Sequence, residues 1–436
     1  MKLAQCGAAL AIIGALLAIP QAPVASTPLT QTAQAACTIT IPSTVKKIDG
    51  LGNYSQIRPG AVLCLPAGTR GNLKLFNLHG TADQPIVVRN SGGTVRITGL
   101  TYTGGGISII DSSFVRVTGT GISDRCGAEY DPAEQQCGIE ITQTYKGVTV
   151  VTKAGNSHDF EIDHLYIHDT STAISSRGIG IHPEEGQTVS GFYAHHNYVH
   201  DTRGEGFYVG SEPHGKPLSD VGKLVNVEVS YNLVERTGYD GIKVKVAIDN
   251  VKVHHNVVHD AGLRGALHHE SGIQLAMSVG DVYNNFVQAD IEGLATGRPL
   301  DNPTTRYFNN IIVGGQNAGM NIAENNAQIY NNTVVRSGIV GIKAGGGGAR
   351  IFDNIVAGVS GSAIQGKSAS IFNNLVGSIA SAGFVNPADD DYHLLAGSPA
   401  VNAGRNTGLF PLFDFDDVSR PQGSQTDLGA FELVAP

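Results

Sequence analysis

The sequence predicts an all-β chain coiled into a solenoid of stacked parallel rungs. Three observations lead there: an asparagine returning with a strand signature at a short interval, a second set of strands each opened by glycine, and a composition poor in helix formers. The 436 residues include 56 Gly and no Trp, and 15% are charged. Such a profile favours short β-branched strands joined by turns.

The repeat is the strongest of the three. An apolar-x-Asn-apolar-Val-like signature recurs at Asn197, Asn232, Asn256, Asn285, Asn310, Asn332, Asn354 and Asn374, with steps of 35, 24, 29, 25, 22, 22 and 20. A floor of 20 to 25 with occasional longer steps is a rung length plus loops inserted on one side. Each Asn leads into an apolar pair, such as Tyr198-Val199, Leu233-Val234 or Ile311-Ile312, then a polar turn, then a glycine-led strand. Those strands include Gly206-Phe207-Tyr208-Val209, Gly241-Ile242-Lys243-Val244, Gly272-Ile273-Gln274-Leu275 and Gly341-Ile342-Lys343-Ala344. Strands this short cannot bury a face alone, but stacked in register they share one core. A propeller would need a period near 40, and a sandwich would need hairpin dipeptides that are scarce here. The Asn column reads as structural: Asn tolerates the left-handed bend between strands, and stacked amides can hydrogen-bond along the column.

At the N-terminus, Met1-Lys2-Leu3 precedes an apolar run from Ala8 to Ile19, and Ala33-Gln34-Ala35-Ala36 offers a cleavage site. Residues 1–36 therefore read as a signal peptide and the mature chain as secreted. The apolar run is shorter than the ~20 residues of a spanning helix and no second one follows, so no membrane span is expected. Cys37 with Cys64 and Cys126 with Cys137 are the parsimonious disulfides of the mature chain, suited to an oxidising compartment. Residues 37–383 are expected to form the solenoid, and residues 384–436, rich in Asp, Pro and Gly, to fold back over its last rungs as a cap. A monomer is expected. The net charge of −9, with no Lys/Arg-rich run, leaves no basic footprint for nucleic acid. An anionic partner would need a local basic patch or a bridging cation.

Aligning the glycine-led strands by their inward residues puts Glu140, Gly180, Tyr208, Lys243, Gln274, Ala295, Asn321 and Lys343 in one outward column. Two positions on come Thr142, His182, Gly210, Lys245, Ala276 and Gly297, and at the preceding turn Arg177, Glu205, Asp240, Ser271 and Glu292. With Ile242 and Val244 inward, Lys243 and Lys245 must both point out of one strand. Arg264, His268, His269 and Glu270 arrive on the 29-residue step, where an inserted loop would border a groove.

Elimination from a uronic acid needs a cation to neutralise the carboxylate and a base to take the α-proton. Lys243 or Lys245 is a candidate base, with Tyr208 or His269 protonating the leaving oxygen. Arg177, His182, His268 and Gln274 are candidate substrate contacts, while Glu205 and Asp240, with Glu270 or Glu292, are candidate calcium ligands. The carboxylates Glu205, Asp240 and Glu270 would equally serve a glycoside hydrolase, and the same cations a non-catalytic glycan-binding protein. A second column, His200, Glu235 and His259, lies beside Asp201, Arg236 and Asp260; with no fourth ligand for zinc it reads as a surface ladder. The doublets His195-His196 and His254-His255 are expected to face opposite sides of their strands, leaving at most one outward ligand each.

The stretches Pro59-Gly60-Ala61-Val62-Leu63-Cys64-Leu65-Pro66-Ala67-Gly68-Thr69 and Gly80-Thr81-Ala82-Asp83-Gln84-Pro85-Ile86-Val87-Val88-Arg89 resemble the opening rungs of carbohydrate-active members of the pectin-lyase-like superfamily. Tyr392-His393-Leu394 with Gly397-Ser398-Pro399-Ala400, and Asp427-Leu428-Gly429-Ala430-Phe431-Glu432, resemble a terminal segment of secreted bacterial β-helix proteins. The resemblance covers nearly the whole mature chain and implies a right-handed parallel β-helix. Asp240-Gly241-Ile242-Lys243-Val244-Lys245 further resembles the calcium-acid then base-lysine strand of the alginate lyase and chondroitinase-B-like family, with Asp240 at the acid and Lys245 at the lysine position. That family has an arginine on the next rung, where this chain has Ala276, so Arg264 would have to supply it. The resemblance implies a calcium-assisted extracellular lyase acting on an acidic polysaccharide. The Asn-x-Asp, Asp-Asp and Gly-His-Gly signatures of polygalacturonase relatives and the Asp-Pro-His-Asp motif of epimerase relatives are absent.

Overall fold

The structure, a computed structural model, describes residues 36–434 except 100–103, 122, 154, 172–175, 214, 301–303 and 406. The expected leader, residues 1–36, lies outside the described residues but for Ala36.

Each rung contributes strands to three faces. Around Asn197, Thr188–His195 lies on the first face, Tyr198–Thr202 on the second and Phe207–Gly210 on the third. The chain then enters Lys223–Ser230, which lies parallel to Thr188–His195 one rung on. Repetition makes a parallel β-helix. Among the described residues the third-face strands form a 12-stranded sheet, and the first and second faces join into a 23-stranded one. Their joint is the pair of long strands Val62–Arg70 and Ile86–Thr98, the second of which pairs with strands of both faces.

The alternation seen in the sequence builds the core. Ile179, Phe207, Ile242, Ile273, Leu294, Met320 and Ile342 stand in register on successive rungs, none more than 1% exposed. Each buried side chain of this kind contributes roughly 1.5–3 kcal/mol, and each rung gains it only against its neighbours. Glycine opens these strands because the rungs approach closely there. A Cβ at Gly206 would meet the Gly241 carbonyl oxygen at 2.6 Å and a Val234 methyl at 2.7 Å.

The Asn column is a continuous amide ladder. The Nδ2 of Asn310 donates to Oδ1 of Asn332 at 2.9 Å and to the carbonyls of Val282 at 2.9 Å and Phe308 at 3.1 Å. The left-handed bend sits one residue earlier than expected. His196, Tyr231, His255, Asn284, Asn309 and Asn331 have φ of 51°, 54°, 53°, 50°, 53° and 50°, while the ladder Asn that follows each does not. The ladder amide donates to the carbonyl of the residue before the bend, so the backbone on both sides of the bend is satisfied.

Both expected disulfides, Cys37–Cys64 and Cys126–Cys137, are formed. The C-terminal segment packs Phe384, Tyr392, Leu428 and Phe431 against Ile311, Val335 and Ile355 on the outer side of the second face. It lies along the solenoid, and Ile371 and Val376 of the last rung stay 44% and 53% exposed. Among the described residues no helix is long and apolar enough to cross a membrane.

Candidate functional site

The outward column of the third face runs Gly180, Tyr208, Lys243, Gln274, Ala295, Asn321 and Lys343, with Gly210, Lys245 and Ala276 in register beside it. Two members of the sequence alignment fall elsewhere. Glu140 and Thr142 lie in Ile139–Thr142 on the second face, against Tyr166 and His168. The third-face strand of that rung is Lys146–Thr152, which sets Thr149 against Gly180 and Lys146 against Arg177. Gly138 and Gly147 both open strands, so the glycine signature alone does not tell the faces apart. Reading it from Gly147 would have placed Lys146 at the turn position shared by Arg177, Glu205 and Asp240.

At the start of these strands sits a buried charge cluster. The Lys243 ammonium donates to Asp240 Oδ2 at 2.9 Å and lies 3.3 Å from His269 Nδ1. That nitrogen is 3.6 Å from Glu205 and 3.7 Å from Asp240, and the backbone N–H of Ser271 donates to Asp240 Oδ1 at 3.0 Å. Lys243 and Asp240 are 3% and 0% exposed. Burial raises the Asp240 carboxyl above its ordinary range despite Lys243. Burial also opposes ionisation of Glu205, but the neighbouring His269 and the Arg177 charge outweigh it and hold that carboxyl low. Tyr239 carries His269 on its ring at 4.7 Å and the Arg264 guanidinium at 5.4 Å. Arg264 thus joins the Asp240 end of the strand and does not replace Ala276 in the Lys245 column.

A second group gathers at the far end. Lys245 Nζ donates to Glu212 Oε2 at 2.6 Å, and the Tyr208 hydroxyl donates to the same oxygen at 2.9 Å. Burial and Glu212 push the Tyr208 hydroxyl well above its ordinary value, so it stays protonated. The Arg177 guanidinium lies 4.3 Å over the Tyr208 ring and its Nη1 is 2.7 Å from His182 Nε2. Burial, then Arg177 and Lys146, push His182 down to about 3, leaving a neutral imidazole. Burial and Arg177 also bring Lys146 down to about 8. A cavity of ≈ 290 Å³ adjoins this end, lined by His182, Ser211, Glu212 and Lys216 among others.

The remaining candidates are peripheral. Glu292 accepts from Asn321 at 2.8 Å and its carboxyl is raised, chiefly by burial. Gln274 donates to the His268 carbonyl at 3.3 Å, and His268 itself is exposed. Glu205, Asp240 and His269 could bring ligand atoms within 4.8 Å of one another, a group that includes neither Glu270 nor Glu292. These residues do not fit calcium as they stand. Calcium takes six to eight oxygen ligands, whereas the group offers two carboxylates and a nitrogen, with an ammonium already seated on Asp240.

Two sets on the other faces are accounted for by their own partners. His200, Glu235 and His259 do stand in one column, but Glu235 accepts from Tyr198 and Arg236, and His200 contacts Asp201 and Tyr166. The histidine doublets depart from expectation: because His196 and His255 are left-handed, both rings of each doublet stay outside and touch, with Nδ1 atoms 2.8 and 2.7 Å apart. Glu161 and Asp163, unremarked in the sequence, also converge with His195. Arg116 sits between the two acids at 3.1 and 2.8 Å, while His195 lies 3.1 Å from Glu161 and His164 2.7 Å from Asp163.

No protein-family model matches the chain, and no curated protein matches it. Among solved structures it is similar to pectate lyase Pel9A, with TM-score 0.50 and 13% identity over 92% of this chain and 98% of that one. It is similar too to GH136 lacto-N-biosidase from Eubacterium ramulus, with TM-score 0.51 and 16% identity over 74% of this chain and 63% of that one. The fold is the right-handed parallel β-helix. Identities this low speak to the fold alone, and these two neighbours bear names of different chemistries, so function rests on the side chains of the groove.

Proposed function

We propose that this β-helix is an exported lyase that cleaves a uronic-acid polysaccharide by β-elimination. Lys146 carries the reading. Lys243 and Lys245, the bases expected from the sequence, are each engaged with a carboxylate, Asp240 and Glu212. Lys146 instead is brought to about 8, near the value that suits a general base at neutral pH. The neutral amine takes the proton α to the uronate carboxylate, the bond to the leaving oxygen breaks, and a carbon–carbon double bond forms. Arg177 and Lys245 stabilise the negative charge that builds on the carboxylate, as fixed charges do best in a groove that excludes water. His269, set between Glu205 and Asp240, returns a proton to the leaving oxygen. No step uses a metal. The formed disulfides support export.

A second reading is a glycoside hydrolase, favoured by one observation: Glu205 is held low and Asp240 is raised, the split that an acid/base carboxylate pair needs. Against it, Asp240 is fully buried behind Lys243, out of reach of a glycosidic oxygen. Incubation with a panel of uronic-acid polymers separates the two. A new ultraviolet absorbance lost in Lys146→Ala supports the lyase; reducing ends without absorbance support the hydrolase.

A further inference from the structure

The floor of the groove holds two hydrogen-bond donors that converge on one carboxylate oxygen, and the carboxylate belongs to a loop. Lys245 and Tyr208 are 9% and 6% exposed and lie on adjacent rungs of the third face. Glu212, which they grip through Oε2 at 2.6 and 2.9 Å, has a side chain 41% exposed and borders the ≈ 290 Å³ cavity. The Arg177 guanidinium over the Tyr208 ring adds positive potential to the same point.

We propose that Lys245 and Tyr208 form the subsite for the carboxylate of a hexuronic acid unit, and that Glu212 fills this subsite as an internal stand-in until the sugar displaces it. The proposal rests on the reading of an acidic-polysaccharide ligand. The donors are fixed by the rung stack, which makes them a preorganised site; the acceptor comes from the solvent side and can swing into water, where a carboxylate is well hydrated. An ammonium and a protonated phenol directed at one oxygen select a carboxylate over a hydroxyl, because both bonds are charge-assisted only when the acceptor is an anion. The adjoining cavity then receives the neighbouring sugar, with Ser211 and Lys216 on its wall.

The test is calorimetric binding of uronic acid trisaccharides and of the same trisaccharides with carboxyls reduced to alcohols. Wild type, Glu212→Gln, Lys245→Met and Tyr208→Phe are compared, with thermal melts alongside and Glu212→Ala as a second variant should the amide disturb the loop. Removing the stand-in charge is expected to tighten uronide binding ~10-fold, the scale of one competing charge-assisted bond. Lys245→Met and Tyr208→Phe are expected to weaken it, and none of the variants to alter affinity for the reduced sugars. Unchanged or weaker uronide binding by both folded Glu212 variants overturns the proposal, as does absence of uronide binding throughout. Ultraviolet absorbance read on the same samples keeps the two claims apart: tighter binding in Glu212→Gln without any new chromophore retains the subsite and removes the lyase.

Discussion

Lys146 and Arg177 occupy the same register position on neighbouring rungs of the third face, about 4.8 Å apart along the stack. Burial and that guanidinium bring the Lys146 ammonium to about 8. A base must be neutral, so the elimination rate is expected to show a rising limb with pH whose inflection lies at about 8. Lys146→Ala and Lys146→Arg should both lose ~10²–10⁴-fold in kcat, and Arg177→Gln should move the inflection upward. A pH profile unchanged in Arg177→Gln would remove Lys146 from the chemistry. The same shift has a stability consequence. Between about 8 and the ordinary lysine range the unfolded chain binds the extra proton, so stability is expected to increase with pH across that window.

Chelation is expected to change neither activity nor melting temperature, because Lys243 already neutralises Asp240 where a cation would sit. Lys243→Met strands a buried carboxylate and should cost about 3–5 kcal/mol in denaturant titrations. A chelator that abolishes turnover, with activity restored by calcium, would reverse this view of the cluster.

Asn310 accepts from the backbone N–H and Nδ2 of Asn285 and donates to Val282, Phe308 and Asn332, all within the solenoid. Asn310→Ala removes the rung's amide and orphans these groups, for a loss of about 3 kcal/mol. Asn310→Asp, which cannot donate from the same positions, should be no milder. Chemical denaturation of the two variants measures this directly.

Arg420 and Glu432 are a buried pair within the C-terminal segment, at 3.0 Å, and Arg420 also donates to the carbonyls of Asp427 and Gly429. Arg420→Met leaves Glu432 without its charge partner and should destabilise by about 3–5 kcal/mol. Proteolysis is expected to start within residues 384–434 before the rungs are cut; simultaneous loss of both parts would show one cooperative unit.

Much of the site was legible in the rung alignment. Once Ile242 and Val244 point inward, Lys243 and Lys245 must point outward, and one inter-strand step sets Tyr208 and Gln274 beside Lys243. Glu205 and Asp240 followed from the same alignment. Glu140 was misplaced because glycine opens strands on two faces, and the error hid Lys146. The histidine doublets misled for a related reason: alternation holds only while the backbone stays extended, and a left-handed residue resets it.

Period, glycine spacing and apolar alternation by themselves determined the parallel solenoid and the column that bears the lysines, because in a stacked fold side-chain position is a local function of register; the cysteine count alone gave the disulfide pairs. Only the tertiary structure decided what each charge does. Lys243 and Lys245 look equivalent in one strand, yet one is sealed against Asp240 and the other meets Glu212 from a loop 33 residues away. Protonation depends on burial and on which charges lie across a rung boundary. Those distances are set by loops whose paths no repeat encodes.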